Sequence, residues 1–587
     1  MRKTKIVCTL GFVSDTEEII EQLIKAGMNV ARFNFSHSSQ QDHKAKFDIV
    51  AKLREKLQIP VATLLDTKGP EIRLGEFEGG RIELAEGDSF TLTTEQVMGT
   101  QERASVSFAG LPQDVAAGST ILIDDGLIEL NVIRVDGTEI VCSVINGGPV
   151  SNRKGVNVPG VHLNMPYISE QDKSDIAFGI RTGFDFIAAS FVRSAEDILA
   201  VRSILHDCGS DDTRIIAKIE NAEGVRNIDS ILRVSDGIMV ARGDLGVEIP
   251  FAEVPALQKL LIQKAYIAGK IVITATQMLD SMMKNPRPTR AEATDVANAI
   301  YDGTSAIMLS GETAAGLYPV KAVETMAIIA DQTEKDINYR ARFQTRTAPI
   351  ETGDVTDAIS HATCTTAYDL NAAAIVTVTV SGQTARMISR FRPGIPIIGG
   401  TYSPKTYNQL ALSWGVAPLM VQKETDVDEL FSRAVETACQ KDLLRSGDVV
   451  VVTTGVPLGV SGTTNLIKVH VAGDVLASGK SVNRLAACGS LRVAHSEKEA
   501  LNNFRSGEIL VIQKTTNALL SLLKMASGII TEEDGMNSHA AVVGLTLDIP
   551  VIVGAYNATN VLKSGTIVTL DAERGTVSTA TTQSAAK

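Results

Sequence analysis

The stretch TRIIAKIENAEGVRNIDSILRVSDGIMVARGDLGVEIP, residues 213–250, decides the fold. It contains two short apolar runs that each end in charge, the first at Lys218 and Glu220 and the second at Asp244. Apolar runs of this length are typical of buried parallel strands, and residues two apart on a strand share one face. The segment between the runs can form a connecting helix. Two parallel strands would therefore carry a cation and two carboxylates to the same edge of a sheet.

Charged groups at the end of a buried strand are costly unless they are paired or bind something. One cation and two carboxylates suit a divalent metal together with a phosphate. A set of structural salt bridges at the strand ends is the alternative, and this stretch alone leaves both interpretations open.

The same pattern of strand, turn and amphipathic helix repeats along the first 340 residues. Eight apolar strands are predicted, at 6–10, 29–35, 61–66, 185–191, 214–220, 237–244, 271–278 and 304–310. Ser14 or Asp15 is the expected N-cap of the first helix. Eight such units predict an α/β protein whose catalytic domain is a closed (β/α)8 TIM barrel, built from residues 1–69 and 167–340. An open doubly wound sheet is the alternative architecture.

Residues 70–166 interrupt the barrel pattern. Their polar and apolar residues alternate with period two between turns, as in GSTILIDDGLIELNVIRVDGTEIVCSVINGG at 118–148, which predicts a small inserted β-barrel domain. The insertion follows the third strand and should lie over the C-terminal face, where barrel enzymes keep their active sites. A lid is the functional interpretation, and a passive decoration is the alternative.

Two further domains are predicted after a polar linker, RARFQTRTAPIETGD, at 340–354. The first, at 341–473, has the pattern of an open-sheet α/β domain, and an extra domain follows at 474–587. Two loops rich in Gly, Ser and Thr follow strands of the first domain, at 379–384 and 453–464. Backbone N–H groups and hydroxyls there could hold an anion, although an ordinary strand–helix turn gives the same pattern.

Composition excludes several classes of function. The net charge of −12 argues against binding of a nucleic-acid backbone, and one tryptophan leaves no stacking platform for bases. Six widely spaced cysteines fit reduced thiols in the cytoplasm. No run approaches the ~18 apolar residues that a membrane helix requires. The N-terminal residues are expected to form a strand and not a signal peptide.

Charged and hydroxyl side chains concentrate at the C-terminal ends of the predicted barrel strands. They are Arg32, Asn34, Ser36, His37, Asp66, Thr67, Lys68, Arg73, Lys218, Glu220, Arg242, Asp244, Thr274, Thr276, Ser310 and Glu312. Packing alone does not explain this concentration, whereas the functional residues of a barrel enzyme come from several strand ends.

Eight motifs along residues 1–473 together resemble the pyruvate kinase family. They are ARFNFSH (31–37), LDTKGPEIR (65–73), NRKGVNVPG (152–160), IIAKIEN (215–221), ARGDLGVEIP (241–250), ATQMLDSM (275–282), PRPTRAEATDVANA (286–299) and IMLSGETAAG (307–316). The resemblance implies phosphoryl transfer from phosphoenolpyruvate to ADP, which yields pyruvate and ATP in glycolysis. It also implies a cytoplasmic homotetramer, with the insertion as lid and residues 341–473 as regulatory domain.

The resemblance also implies the roles of the barrel residues. Lys218 would stabilise the moving phosphoryl group, Arg32 would contact the substrate phosphate, and Thr276 would lie where the enolate is protonated, through water. Substrate binding would use Arg32, Lys218, Gly243, Asp244 and Thr276. Glu220 and Asp244 would hold Mg2+ or Mn2+.

A potassium site and a nucleotide site are implied in the same way. The K+ donors would be Asn34, Ser36, Asp66 and Thr67. Glu71 stands where potassium-dependent members carry Glu and independent ones carry Lys, so we expect K+ dependence. Nucleotide contacts would come from Asn34, Phe35, Ser36, His37, Arg73 and Lys154, with Lys154 brought in by the lid.

In this family the two loops of the regulatory domain form an allosteric effector site. The residues of this chain at the first loop are Thr379, Ser381, Gly382, Gln383 and Thr384. Val380 stands where relatives that bind fructose-1,6-bisphosphate carry Lys. The expected effector is therefore a phosphorylated metabolite with one phosphate, either a sugar monophosphate or AMP.

The extra domain contains GIITEEDGMNSHAAVVGLTLDIPVIVG at 528–554, which resembles the phosphohistidine swivelling domain of phosphoenolpyruvate-utilising enzymes. His539 matches the phosphorylated histidine, although Asn537 replaces the usual Thr of that motif. A retained structural or regulatory module is the favoured interpretation, because fold analogy alone does not carry function. A histidine phosphotransferase and a catalytically silent metabolite sensor are the rival classes.

Overall fold

The computed structural model describes residues 1–345, 354–445, 447–457, 464–473 and 475–579. Part of the predicted linker and part of the second loop, at 346–353 and 458–463, lie outside these ranges. The chain forms two compact units, one of Met1–Gly353 with Thr379–Met420 and the other of Asp354–Val378 with Val421–Lys587. Each unit is described by itself.

The centre of the first unit is a closed barrel of eight parallel strands. The strands are Lys5–Thr9, Val30–Asn34, Ala62–Asp66, Phe186–Ala189, Arg214–Ile219, Gly237–Ala241, Ile271–Ala275 and Ala306–Leu309. Each strand pairs with the next, and Lys5 faces Ala306 where the barrel closes. This confirms the predicted closed barrel and excludes the alternative of an open doubly wound sheet.

Helices cover the barrel. They are Glu17–Ala26, Gln40–Leu57, Glu170–Thr182, Ala195–Asp207, Ala222–Arg226, Ile228–Val234, Arg242–Glu248, Val254–Ile267, Arg290–Asp302, Gly311–Ala314, Pro319–Asp336 and Tyr339–Thr345. Apolar side chains from these helices and from the outer face of the strands form one buried core. Capping boxes at Ser39 and Thr289 fix two helix starts, because each side chain accepts from a backbone N–H of the first turn.

Several local predictions differ from the structure, and the predicted strands 185–191, 271–278 and 304–310 end earlier, at Ala189, Ala275 and Leu309. The first helix is capped by Thr16 and not by Ser14 or Asp15, because the Thr16 hydroxyl accepts from the N–H of Ile19. The predicted strand 237–244 ends at Ala241, and Asp244 lies in the helix Arg242–Glu248. Part of the predicted linker is the helix Tyr339–Thr345.

The insertion is an all-β domain with its own apolar core. Its strands are Ile72–Arg73, Arg81–Leu84, Ser89–Thr93, Arg103–Ser105, Thr120–Ile123, Ile128–Asp136, Glu139–Asn146, Gly148–Ser151 and Gly155–Asn157. They form a seven-stranded and a two-stranded sheet. The first unit also contains Gln383–Arg390, Ile397–Thr401, Pro404–Gln409 and Val416–Met420.

The second unit begins with Val355–Asp369, Ala374–Val378, Val427–Gln440, Val449–Gly455 and Thr464–Val471. An eight-stranded sheet follows, from Val475–Ser478, Lys480–Ser481, Ala486–Ala494, Ile509–Ile512, Gly528–Thr531, Val551–Val553, Ile567–Asp571 and Thr576–Thr579. Its helices are Glu497–Asn503, Leu520–Leu523, His539–Leu547 and Ala558–Val561. None of the helices in the described ranges is both long and apolar enough to cross a membrane.

Candidate active site at the barrel rim

Lys218 is the centre of the polar cluster at the C-terminal rim of the barrel. Its ammonium group lies 3.1 Å from Asp66 Oδ1 and 3.0 Å from Glu220 Oε1, and it donates to Ser190 Oγ at 2.8 Å. Only 9% of Lys218 is exposed. Burial disfavours its charge, but the two carboxylates outweigh this effect, and the pKa of Lys218 lies above its ordinary value. The cluster therefore holds a permanently charged ammonium group at the rim.

Arg32 adds a second cation beside it. Its guanidinium donates to Asp66 Oδ2 at 2.6 Å and to the Thr9 hydroxyl at 2.9 Å. Although burial alone would raise the pKa of Asp66, Arg32 and Lys218 hold it below its usual range. One carboxylate thus positions two cations, an arrangement suited to a phosphoryl group.

Glu220 and Asp244, predicted to hold a divalent cation, lie on adjacent elements. Glu220 Oε2 accepts the N–H of Phe191 at 2.6 Å, while Oε1 faces Lys218. Burial raises the pKa of Glu220. The charge of Lys218 opposes this shift, and the charge of the neighbouring Asp244 adds to it. Two oxygen donors with excess negative charge fit Mg2+, which takes one or two carboxylates and completes its shell with substrate and water. No cluster of three acidic, His or Cys ligands occurs among the described residues.

The four residues predicted to bind K+ bring oxygen donors to adjacent strand ends. Asn34 and Asp66 are direct partners in the register of the second and third strands. The N–H of Ser36 donates to Asn34 Oδ1 at 3.2 Å, and the Thr67 hydroxyl accepts from the N–H of Ser190 at 3.1 Å. An all-oxygen donor set of this kind fits a hard monovalent cation.

Thr276 is held in an unusual backbone conformation. Its φ is +75°, in a region that side chains rarely adopt, and Gln277 follows at +54°. Arg242 secures this turn by donating to the carbonyls of Thr276 at 2.7 Å and Ala275 at 3.2 Å. Gly243 packs directly against it, since a Cβ there would lie 2.8 Å from Thr276 Cγ2. The end of the seventh strand and the turn after it therefore pack closely against the helix that carries Asp244.

The residues predicted to contact nucleotide fall into two groups. Arg73 and Lys154 line a cleft between the lid and the barrel, together with Asp125 and Asp244. Arg73 forms a bidentate pair with Glu71, at 2.7 and 2.8 Å, and Lys154 pairs with Asp124 at 2.7 Å.

Asn34, Phe35, Ser36 and His37 do not line this cleft. The Phe35 ring is buried and stacks on His43 at 4.2 Å, and its backbone N–H donates to the Asp66 carbonyl at 2.9 Å, so neither is available to a ligand. His37 is exposed.

Sequence reasoning missed the fourth strand end. Ser190 Oγ accepts from Lys218 and lies 2.7 Å from the Thr67 carbonyl and 3.1 Å from Asp66 Oδ1, so its one proton is shared between these two acceptors. Phe191, with a φ of +53°, supplies the N–H to Glu220. These residues could have been predicted, because the sequence AASFVRS after Ile187 places polar side chains at the end of a barrel strand, as at the other site residues.

The loop predicted to bind an effector has its donors partly used within the protein. The N–H of Gly382 donates to the Thr379 hydroxyl at 3.1 Å, and the Ser381 carbonyl accepts from Arg386 at 3.0 Å and Arg214 at 3.2 Å. Gly382, with a φ of +77°, begins the helix that contains Gln383 and Thr384. Several polar groups of the loop are therefore already used in hydrogen bonds within the first unit.

In the second unit, His539 begins the helix His539–Leu547. One of its ring nitrogens, Nδ1, lies 2.9 Å from the Thr515 hydroxyl, and Nε2 lies 3.0 Å from Asn517 Oδ1. Because Asn517 Oδ1 can only accept, Nε2 carries the proton and Nδ1 accepts from Thr515. Both nitrogens are thus engaged within the domain, as in a structural histidine.

Comparison with known families agrees with this geometry. The family model for the pyruvate kinase barrel domain matches residues 1–323 and that for the pyruvate kinase alpha/beta domain matches 357–470. The mobile domain of PEP-utilising enzymes matches 504–575.

Individual proteins match over most of the chain. A pyruvate kinase from Bacillus licheniformis is 51% identical over 579 residues, covering 98% of this chain and 99% of its own. A pyruvate kinase from Geobacillus stearothermophilus is 52% identical over 578 residues, covering 98% of each. The crystal structure of a pyruvate kinase from Cryptosporidium parvum superposes with a TM-score of 0.76 at 40% identity, over 80% of this chain and 96% of its own. Because whole-length relatives share half of their residues with it, the chain belongs to the pyruvate kinase family.

Proposed function

We propose that this chain transfers a phosphoryl group from phosphoenolpyruvate to ADP, yielding pyruvate and ATP. The observation that carries the proposal is the charged Lys218, which is held between Asp66 and Glu220 beside the guanidinium of Arg32. Phosphoryl transfer requires positioning and stabilisation of negative charge more than covalent participation by the protein. Two fixed cations in a site with little exposure to water supply that stabilisation.

The other rim residues take complementary roles. Arg32 and Lys218 would orient the phosphoryl group, and Gly243, Asp244 and Thr276 would orient the carboxylate of phosphoenolpyruvate. Glu220 and Asp244 would hold Mg2+ or Mn2+, which when bound neutralises charge on the substrate oxygens. Thr276 would position the water that protonates the enolate, because its own hydroxyl is a poor acid.

A coupled assay of pyruvate formation from phosphoenolpyruvate and ADP, with Mg2+ and K+, tests this function. We expect ADP-dependent turnover. No turnover with every cation and candidate effector supplied would overturn the proposal in favour of a metabolite sensor. Pyruvate formation that needs phosphorylated His539 in place of ADP would instead indicate a histidine phosphotransferase.

We also propose that activity depends on K+. Glu71 accepts from Lys68 at 2.9 Å and from Arg73. A lysine at position 71 would therefore place three cationic side chains together, and its fixed positive charge would remove the need for a bound K+ ion. Titration of K+ into buffer containing only tetramethylammonium should raise activity by about a hundredfold, the lower range for loss of one preorganised electrostatic contact. The Glu71→Lys variant should lose this response. Full wild-type activity without K+ would contradict the proposal.

Control by a phosphorylated metabolite is proposed for the loop Thr379–Thr384. Phosphoenolpyruvate saturation curves are measured with AMP, glucose 6-phosphate or fructose 1,6-bisphosphate. We expect a monophosphate, and not the bisphosphate, to lower the half-saturating concentration, because Val380 offers no second cation.

The Thr384→Val variant should lose this effect, whereas the exposed Thr294→Val variant should keep it. Unchanged activation in Thr384→Val would exclude the loop.

Several further roles remain proposals. The assembly would be a cytoplasmic homotetramer. Arg73 and Lys154 would contact the nucleotide phosphates when the lid closes over the barrel. The domain from 474 onward would be structural or regulatory, in keeping with the internal hydrogen bonds of His539.

A further inference from the structure

A group of charged side chains, most of them basic, lies beside the N-terminal ends of the fifth, sixth and seventh barrel strands, at the opposite end of these strands from the rim residues. Arg214 begins the fifth strand, Asp236 immediately precedes the sixth, and Lys270 immediately precedes the seventh. Arg386, from the helix Gln383–Arg390 of the same unit, joins them, because it lines the same cavity as Lys270.

One carboxylate serves this whole group. Asp236 pairs with Arg214 at 3.0 Å and with Arg202 at 3.1 Å, and it also accepts the N–H of Ile215 at 2.9 Å. Its oxygens are therefore committed. Burial opposes its charge, yet Arg214 and the other cations hold the pKa of Asp236 below its ordinary value.

Lys270 and Arg386 are left with neutral acceptors. Lys270 Nζ donates to the Ser235 carbonyl at 2.7 Å, and Arg386 donates to the Ser381 carbonyl and to Gln383 Oε1. Within the described residues neither forms a salt bridge. Burial lowers the pKa of Lys270, and it lowers that of Arg386 to about 9, with Arg214 adding to the effect. Charges of one sign concentrated away from water are costly unless an anion joins them.

The two cations line the same small cavity. Its wall includes Ser413, which is 2% exposed and whose hydroxyl has no hydrogen-bond partner in the described part of the chain. A buried hydroxyl without a partner is uncommon in proteins and indicates a missing ligand or water. Tyr266 and Trp414 are also part of the wall, and both line an adjoining aromatic cleft.

We infer that Lys270, Arg386 and Ser413 form an anion site for a phosphoryl group, distinct from both the barrel rim and the loop Thr379–Thr384. Two cationic side chains and one hydroxyl donor match the acceptor-rich surface of a phosphate dianion. None of the residues of that loop lines the cavity, and none of the rim residues does. The phosphoryl group can be free phosphate or the end of a phosphate monoester whose body enters the aromatic cleft.

Trp414 gives a direct readout, because it is the only tryptophan in the sequence and it lines the cavity. Its emission is followed in the full-length protein during titration with inorganic phosphate, at ionic strength held constant with chloride. A saturable change is expected. AMP and glucose 6-phosphate are titrated in parallel, and tighter saturation by either than by inorganic phosphate identifies an ester as the ligand.

Variants separate this site from the others. Lys270→Gln and Arg386→Gln should each weaken the apparent phosphate affinity by about tenfold, as for loss of one charge-assisted contact. Ser413→Ala, which changes no charge, should weaken it less and serves where a charge variant does not fold. Lys25→Gln, at an exposed helix position, and Thr384→Val in the effector loop should both leave the titration unchanged.

The inference is overturned by a response that does not saturate, or by one that is lost in Thr384→Val and kept in Lys270→Gln and Ser413→Ala. A crystal soaked in selenate provides a second measurement that does not depend on fluorescence. Anomalous density beside Lys270 Nζ and Ser413 Oγ supports the site, and its absence there with density elsewhere excludes it. Neither experiment requires turnover, so failure of the proposed kinase activity would leave the result interpretable.

Discussion

Replacement of Lys218 by methionine should reduce turnover of phosphoenolpyruvate and ADP by about a thousandfold, the upper range for loss of one preorganised electrostatic contact. Methionine keeps the unbranched shape and removes the charge. The expected loss follows from the position of the ammonium group, 3.1 Å from Asp66 and 3.0 Å from Glu220, where it is fixed before substrate arrives. The coupled pyruvate assay at saturating Mg2+ and K+ measures the effect.

Lys25→Met provides the matched control, because Lys25 lies on an exposed helix face and, among the residues that the structure describes, forms an ion pair with Glu21 alone. It should retain full activity. Thermal unfolding of both variants separates loss of catalysis from loss of fold, since removal of Lys218 leaves the buried Glu220 without its cation and Asp66 paired with Arg32 alone. A folded Lys218→Met protein that keeps a tenth or more of wild-type turnover, a roughly tenfold loss at most, would refute the role assigned to this residue.

The barrel was predictable because its strands are buried on both faces and read as apolar runs. The run ending at Lys218 illustrates this, since Ile215, Ile216 and Ala217 are all fully buried. Because side chains alternate between the two faces of a strand, Lys218 and Glu220, which are two residues apart, were predicted to share one face. The strand end at Ala241 was less predictable, because a change from strand to helix over one residue leaves little trace in hydrophobic periodicity.

The contacts that organise the rim were beyond sequence reasoning for a different reason. Arg242 acts through carbonyl groups of the next strand, and its guanidinium also reaches Asp295 at 2.7 Å. Such contacts depend on which strands are neighbours and on the left-handed turn at Thr276, neither of which has a signature in residue type. Ser190 differs, because its position at a strand end is visible in the sequence and only its hydrogen bonds are not.

The second large effect is expected from a single methyl group. Gly243→Ala should lower kcat/KM by about a hundredfold, because displacement of reacting groups by an ångström can cost that much. The added Cβ would lie 2.8 Å from Thr276 Cγ2, closer than real Cβ contacts allow. Arg242 holds the carbonyl of Thr276 at 2.7 Å, so the turn cannot move away freely. The Thr276 side chain must rotate, or the helix carrying Asp244 must shift, and either change displaces a group of the site.

Gly246→Ala is the matched control, since it makes the same change in the same helix. Its Cβ would meet nothing closer than Val254 Cγ2 at 4.0 Å, so activity should stay within about twofold of wild type. Steady-state kinetics with varied phosphoenolpyruvate and varied Mg2+ locate the defect. A rise in the Mg2+ requirement of Gly243→Ala alone indicates displaced Asp244, and equal behaviour of the two variants would show that the close packing of Gly243 on Thr276 does not position the site.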